Sequence, residues 1–197
     1  ACVKWSGEVR VGDRAPAPPV SLVGPMATPL PTRFGGNAEA FFVRFAPTGL
    51  RALLGVRGHH YRADASFERA AAVSAPVRTW ADGVSRAAGF EARVVMTEAW
   101  LASEHAARAC AAPDDGTAFA EAAVACIVRA SGVLRVDALA DALGVSTSTL
   151  RRRFAAEIGI APKAFCELVR LRCTHAFLLA GPVATWADAV VRFGYSD

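Results

Sequence analysis

The 197-residue chain is 53% hydrophobic and 20% charged, too apolar for intrinsic disorder and long enough for one domain of moderate size or two small ones. No run approaches the ~18 uninterrupted apolar residues of a membrane-spanning helix, and no basic-then-apolar leader opens the chain, so neither a membrane protein nor a secreted precursor is expected. Lys plus Arg outnumber Asp plus Glu by 22 to 18, a net +4, which is compatible with an anionic partner but does not by itself argue for one. Arg supplies 20 of those cations and Ala supplies 43 residues, a joint excess read as genomic bias rather than function. Five cysteines (Cys2, Cys110, Cys126, Cys166 and Cys173) form no C-x-x-C pair, and free thiols in a reducing cytoplasm are the expectation.

The chain opens at Ala1 and reads as a piece of a longer protein. Residues 1–46 read as β. The stretches 18–25 and 38–47 are rich in Val and Phe, and the segment between them carries Pro25, Pro29, Pro31, Gly35 and Gly36, which mark turns. An antiparallel or barrel-like sheet follows from that pattern. Leu50, Leu53 and Leu54 then predict a short helix over 48–56 that stops at Gly55 or Gly58. Pro76 suits a helix start, with Val77, Trp80 and Val84 on one face. A further helix is expected over 91–110, with Val94, Val95, Ala99, Ala102 and Ala106 on one side. The segment Ala111–Gly116 punctuates the chain most strongly, and the domain boundary is expected there, between residues 1–112 and 117–197. After it comes a helix over 117–130 and further helical stretches with hardly a strand signal. The fold class is α+β: a β-rich then helical module, followed by an all-α unit.

The most informative stretch is 136–159. Ala138, Leu139, Ala142 and Leu143 have the spacing of a short amphipathic helix, and Gly144 supplies the positive φ of a tight helix stop. Ser146 is placed to cap the next helix, its hydroxyl accepting from an unpaired backbone N–H. Two short helices joined by a Gly-containing turn describe a helix-turn-helix. On the second helix Leu150, Phe154 and Ile158 share one face, assigned to the core, whereas Ser148, Arg151, Arg152 and Ala155 lie opposite. Arg can bond both O6 and N7 of a guanine, so Ser148, Arg151 and Arg152 are the candidate base readers. Thr147 and Arg153 sit on the flanks, where phosphates would lie, and Lys163 joins them as a candidate phosphate contact.

The stretch from Gly144 to Phe165 resembles the first helix-turn-helix of AraC-type bacterial transcription regulators, and the resemblance continues over roughly 132–197. It implies a homeodomain-like DNA-binding unit in which a long linker helix joins two helix-turn-helix motifs. Pro162 to Ala180 fits that linker, and its ~28 Å is close to the ~34 Å of one DNA turn once the flanking turns are added. Gly181-Pro182 breaks the helix, and residues 185–197 match the start of the second motif, with Ala187, Val190, Val191 and Phe193 as its apolar positions. The sequence ends at Asp197, where the second recognition helix is expected to begin. Less specifically, residues 42–56 resemble part of the sensor or dimerisation domain of such regulators, which implies a small-molecule effector and a homodimer as partners beside double-stranded DNA.

His59-His60-Tyr61 has no Cys, Asp or Glu at ligand spacing and is read as a solvent loop, so no metal is expected. His105 and His175 read as surface residues, Asp114-Asp115 as turn chemistry, and Cys166 and Cys173 as small core residues on one helix face. Phosphate-binding glycine loops and nucleophile elbows are missing, so neither a catalytic residue nor a cofactor is expected. The competing reading is a small-molecule-binding protein or enzyme with an accessory helical domain. It lacks a coherent catalytic set, whereas 136–159 hold a coherent recognition set.

Overall fold

The computed structural model describes residues 2–11, 19–22, 24–29, 31–58, 68–69, 75–109, 114–180 and 185–195. His59-His60-Tyr61, Cys110, the start of the Ala111–Gly116 break and Gly181-Pro182 lie outside them. The fold is mixed, with a small sheet early in the chain and helices after it. Strands β1 (Cys2–Val11), β2 (Val20–Leu22), β3 (Thr32–Phe42) and β4 (Glu68–Arg69) pair antiparallel in the order β3-β1-β2-β4. An antiparallel sheet is what the Pro- and Gly-bounded apolar stretches predict, but the boundaries differ. The second long strand begins at Thr32 rather than residue 38, and Gly35 and Gly36 lie inside it. Pairing with β1 supplies the ladder that propensity alone would not. The two glycines fall beside the bulged part of that ladder, between Ser6 and Glu8 of β1.

Among the described residues, the helices in this half are α1 (Gly49–Leu54), α2 (Ala75–Arg86) and α3 (Gly89–Ala109). α1 stops at Gly55, and Arg108 of α3 donates from Nε to the Leu53 carbonyl at 2.6 Å. Val77, Trp80 and Val84 of α2 are buried as their spacing predicts, and they pack with Leu22, Phe41 and Leu54 into a first hydrophobic core. α3 departs from expectation. Val95 is 63% exposed, and Ala99, Ala102 and Ala106 are exposed too. Of the expected face Val94 does pack against the core, and Thr97 and Trp100, from outside that face, complete the contact. The Trp100 ring stacks on Trp80 at 4.7 Å, and Trp80 Nε1 donates to Thr97 Oγ1 at 3.0 Å. One indole buries far more apolar area than several Ala methyls, so it sets the helical phase.

Among the described residues five helices follow: α4 (Asp115–Arg129), α5 (Val136–Ala142), α6 (Thr147–Ile158), α7 (Pro162–Leu179) and α8 (Trp186–Phe193). Ala123, Ile127, Leu139, Leu150 and Phe154 are fully buried in a second hydrophobic core, with Phe165 and Cys166 of α7 closing it. In α5 the buried pair is Leu139 and Ala140, while Ala138 and Ala142 face outward. Burial pushes the Cys166 thiol above its ordinary value, with the nearby Glu167 carboxylate adding to the shift, so it stays a neutral packing group. Cys173 is half-buried, and His105 and His175 are exposed. In α8 the buried residues are Ala189 and Phe193, whereas Ala187, Val190 and Val191 are exposed, Val191 by 85%. The phase is set by Thr185 and Asp188, which cap the helix reciprocally, and by the Phe193 ring packing on Phe177 at 5.8 Å. Among the described residues, no helix is long and apolar enough to cross a membrane and no His/Cys/Asp/Glu group could hold a metal ion.

Candidate nucleic-acid interface

α5, its turn and α6 form the helix-turn-helix. The turn is drawn tight by backbone bonds from Gly144 N to the Asp141 carbonyl and from Val145 N to the Ala140 carbonyl, both 3.1 Å. Gly144 adopts φ +65°, where any other residue would carry a Cβ penalty. Ser146 Oγ accepts from Thr149 N at 3.2 Å, the cap its position predicts, and also lies 3.0 Å from both Ser148 Oγ and Thr149 Oγ1. The start of α6 thus presents a small cluster of hydroxyls.

Beneath this surface Leu150, Phe154 and Ile158 are buried, as their shared face predicts, and Phe154 meets the Phe165 ring edge-on at 5.5 Å. That packing turns Ser148, Arg151 and Arg152 outward, all three exposed. Arg151 and Arg152 make no hydrogen bond or ion pair among the described residues. Two uncommitted guanidiniums beside a hydroxyl cluster are suited to recognising a planar, acceptor-rich edge. Thr147 is half-buried at the first helical position, and Lys163 is exposed at the start of α7, where Pro162 sits in the first turn.

Arg153 has a different setting. Its Nη2 pairs with Asp115 Oδ2 at 2.9 Å, and its guanidinium lies 4.1 Å from the Phe119 ring centroid. Arg153 therefore ties α6 to the first turn of α4. Asp115 and Phe119 are absent from the sequence-based candidates, because a pairing between distant elements leaves no trace in helical periodicity. Glu157, in the last turn of α6, was likewise not singled out. It is only 8% exposed and pairs with Arg51 of α1. An acidic residue next to Ile158, on the buried side of α6, was the available signal.

Residues 139–197 match a family model described as a helix-turn-helix domain. No curated protein and no solved structure gives a significant match to the chain.

Proposed function

We propose that the chain regulates transcription by binding double-stranded DNA sequence-specifically, with α6 in the major groove; the match of residues 139–197 to a helix-turn-helix family model and their resemblance to AraC-type regulators support this reading. Ser148, Arg151 and Arg152 read base edges in this account, and Thr147 and Lys163 contact phosphates. Arg153, held by Asp115, orients α6 on α4 and reaches phosphate only at its flank. Residues 1–112, which have their own hydrophobic core, act as the sensing or dimerising part. The observation that carries the reading is the free cationic face of α6, set opposite Leu150 and Phe154 within the matched region.

Selecting duplexes from a random pool with the chain supplies a test ligand. Arg151→Ala and Arg152→Ala should each weaken binding to the selected duplex by ~1–3 kcal/mol, with a smaller loss on a scrambled duplex. Lys163→Ala should weaken both duplexes alike and lower the salt dependence by about one unit of slope. Unchanged affinity of both Arg variants on both duplexes would refute the assignment.

A further inference from the structure

We infer that Arg51, Arg57 and Glu157 form a latch that locks the first half of the chain onto the last turn of α6. Arg51 Nε lies 3.2 Å from Glu157 Oε2, and Arg57 Nε lies 3.9 Å from Glu157 Oε1. Arg51 also pairs through Nη2 with Asp114, the residue that caps α4 through its bond from Gly116 N. Arg51 is itself braced, donating from Nη1 to the Gly55 carbonyl at 2.9 Å. Two cations from the segment after Thr48 thus meet two carboxylates from α4 and α6, and the cluster is neutral overall. Glu157 lies against Gly116 in the first turn of α4, where the helix dipole favours a negative charge.

Backbone packing beside the cluster points the same way. Gly58 is buried, and a Cβ built there would lie 2.2 Å from Gly159 N and from the Ile158 carbonyl carbon. Both are backbone atoms at the end of α6 and cannot step aside, so only glycine permits this approach.

The physical consequence follows from burial. Arg51 and Glu157 side chains are 13% and 8% exposed, so each charge is kept from water by the docking of the two halves. Removing one partner strands the other as an uncompensated buried charge. Separation of the halves is then the cheapest relief, because it rehydrates the stranded group without unfolding either core. A change in the 49–58 segment therefore reaches the helix that carries Arg151 and Arg152. The effect on DNA rests on the function proposed above, but the latch itself does not, and it is tested without DNA.

Amide hydrogen exchange on the full chain makes the test. Arg51→Met should speed exchange by roughly tenfold or more in 155–160 and 52–58, while α2 and the middle of α4, deep in the two cores, change little. Adding Glu157→Gln to Arg51→Met should restore part of the protection, since no buried charge is left unpaired. Gly58→Ala, which alters no charge, should reproduce the Arg51→Met pattern. Uniform loosening of both cores in Arg51→Met and Gly58→Ala, or no change in 155–160 in either, would overturn the latch.

Discussion

The Asp137 carboxyl is held well below its ordinary value. The side-chain bond from Arg135, with Nη2 2.6 Å from Oδ2, and the Ala138 N–H at 2.8 Å hold it down to about 2. Its folded value lies below the ordinary ~3.9 of an unfolded Asp, so its contribution is present above that value and is lost as pH falls toward about 2. A carboxyl titration by NMR should find that midpoint, and Arg135→Ala should raise it toward the ordinary range. A midpoint still near 2 in the variant would transfer the effect to the Ala138 N–H. Ser146 has a defined task as the cap of α6. Ser146→Ala should lower stability by ~1 kcal/mol in a urea melt, and Ser146→Asp should retain most of it, because either oxygen can accept from Thr149 N. This cap, the Gly144 turn and the outward face of Ser148, Arg151 and Arg152 were all legible in the sequence. They depend on neighbours a few residues away. The engagement of Arg153 was not legible, because Asp115 and Phe119 come from another helix.

At the scale of elements, legibility followed the size of the side chains. α2 and α6 read correctly because Trp80, Leu150 and Phe154 dominate the faces they bury. In α3 and α8 only part of the expected face is buried, because runs of Ala and Val make several helical phases look alike; Trp100 with Val94 and Thr97 decides α3, and Phe193 with Ala189 and the Thr185–Asp188 cap decides α8. The same reasoning ranks substitutions in the helix-turn-helix. Phe154 is fully buried and touches the Phe165 ring, so Phe154→Ala should lower stability by ~3–5 kcal/mol. Leu143 is only partly buried against the same core, and Leu143→Ala should fall clearly below that. Thermal melts of the two variants check the order, and equal losses would mean that α5 closes on α6 more tightly than Leu143's exposure implies.

At the scale of the whole molecule, two hydrophobic cores are joined by charge and by close backbone contact. The first is built by the sheet with α1, α2 and α3, and the second by α4 to α7. The sequence marked the change of character near Ala111–Gly116, but the structured helix begins already at Asp115, capped by Asp114, inside the expected break. Both carboxylates there are engaged across elements, Asp114 with Arg51 and Asp115 with Arg153. Of these residues that read as turn chemistry, Asp114 thus binds the two halves together, and Asp115 joins α4 to α6 within the second. Contacts of this kind join residues far apart in the chain, and no local pattern encodes them.

If α6 reads base edges through Arg151 and Arg152, a base-pair scan will show it. Each base pair of a selected duplex is substituted in turn, and the whole set is titrated with the unaltered chain, Arg151→Ala and Arg152→Ala at one salt concentration. Each variant should lose its preference, by ~1–3 kcal/mol, at one position or two adjacent ones and keep it elsewhere. Full preference at every position in both variants would contradict it.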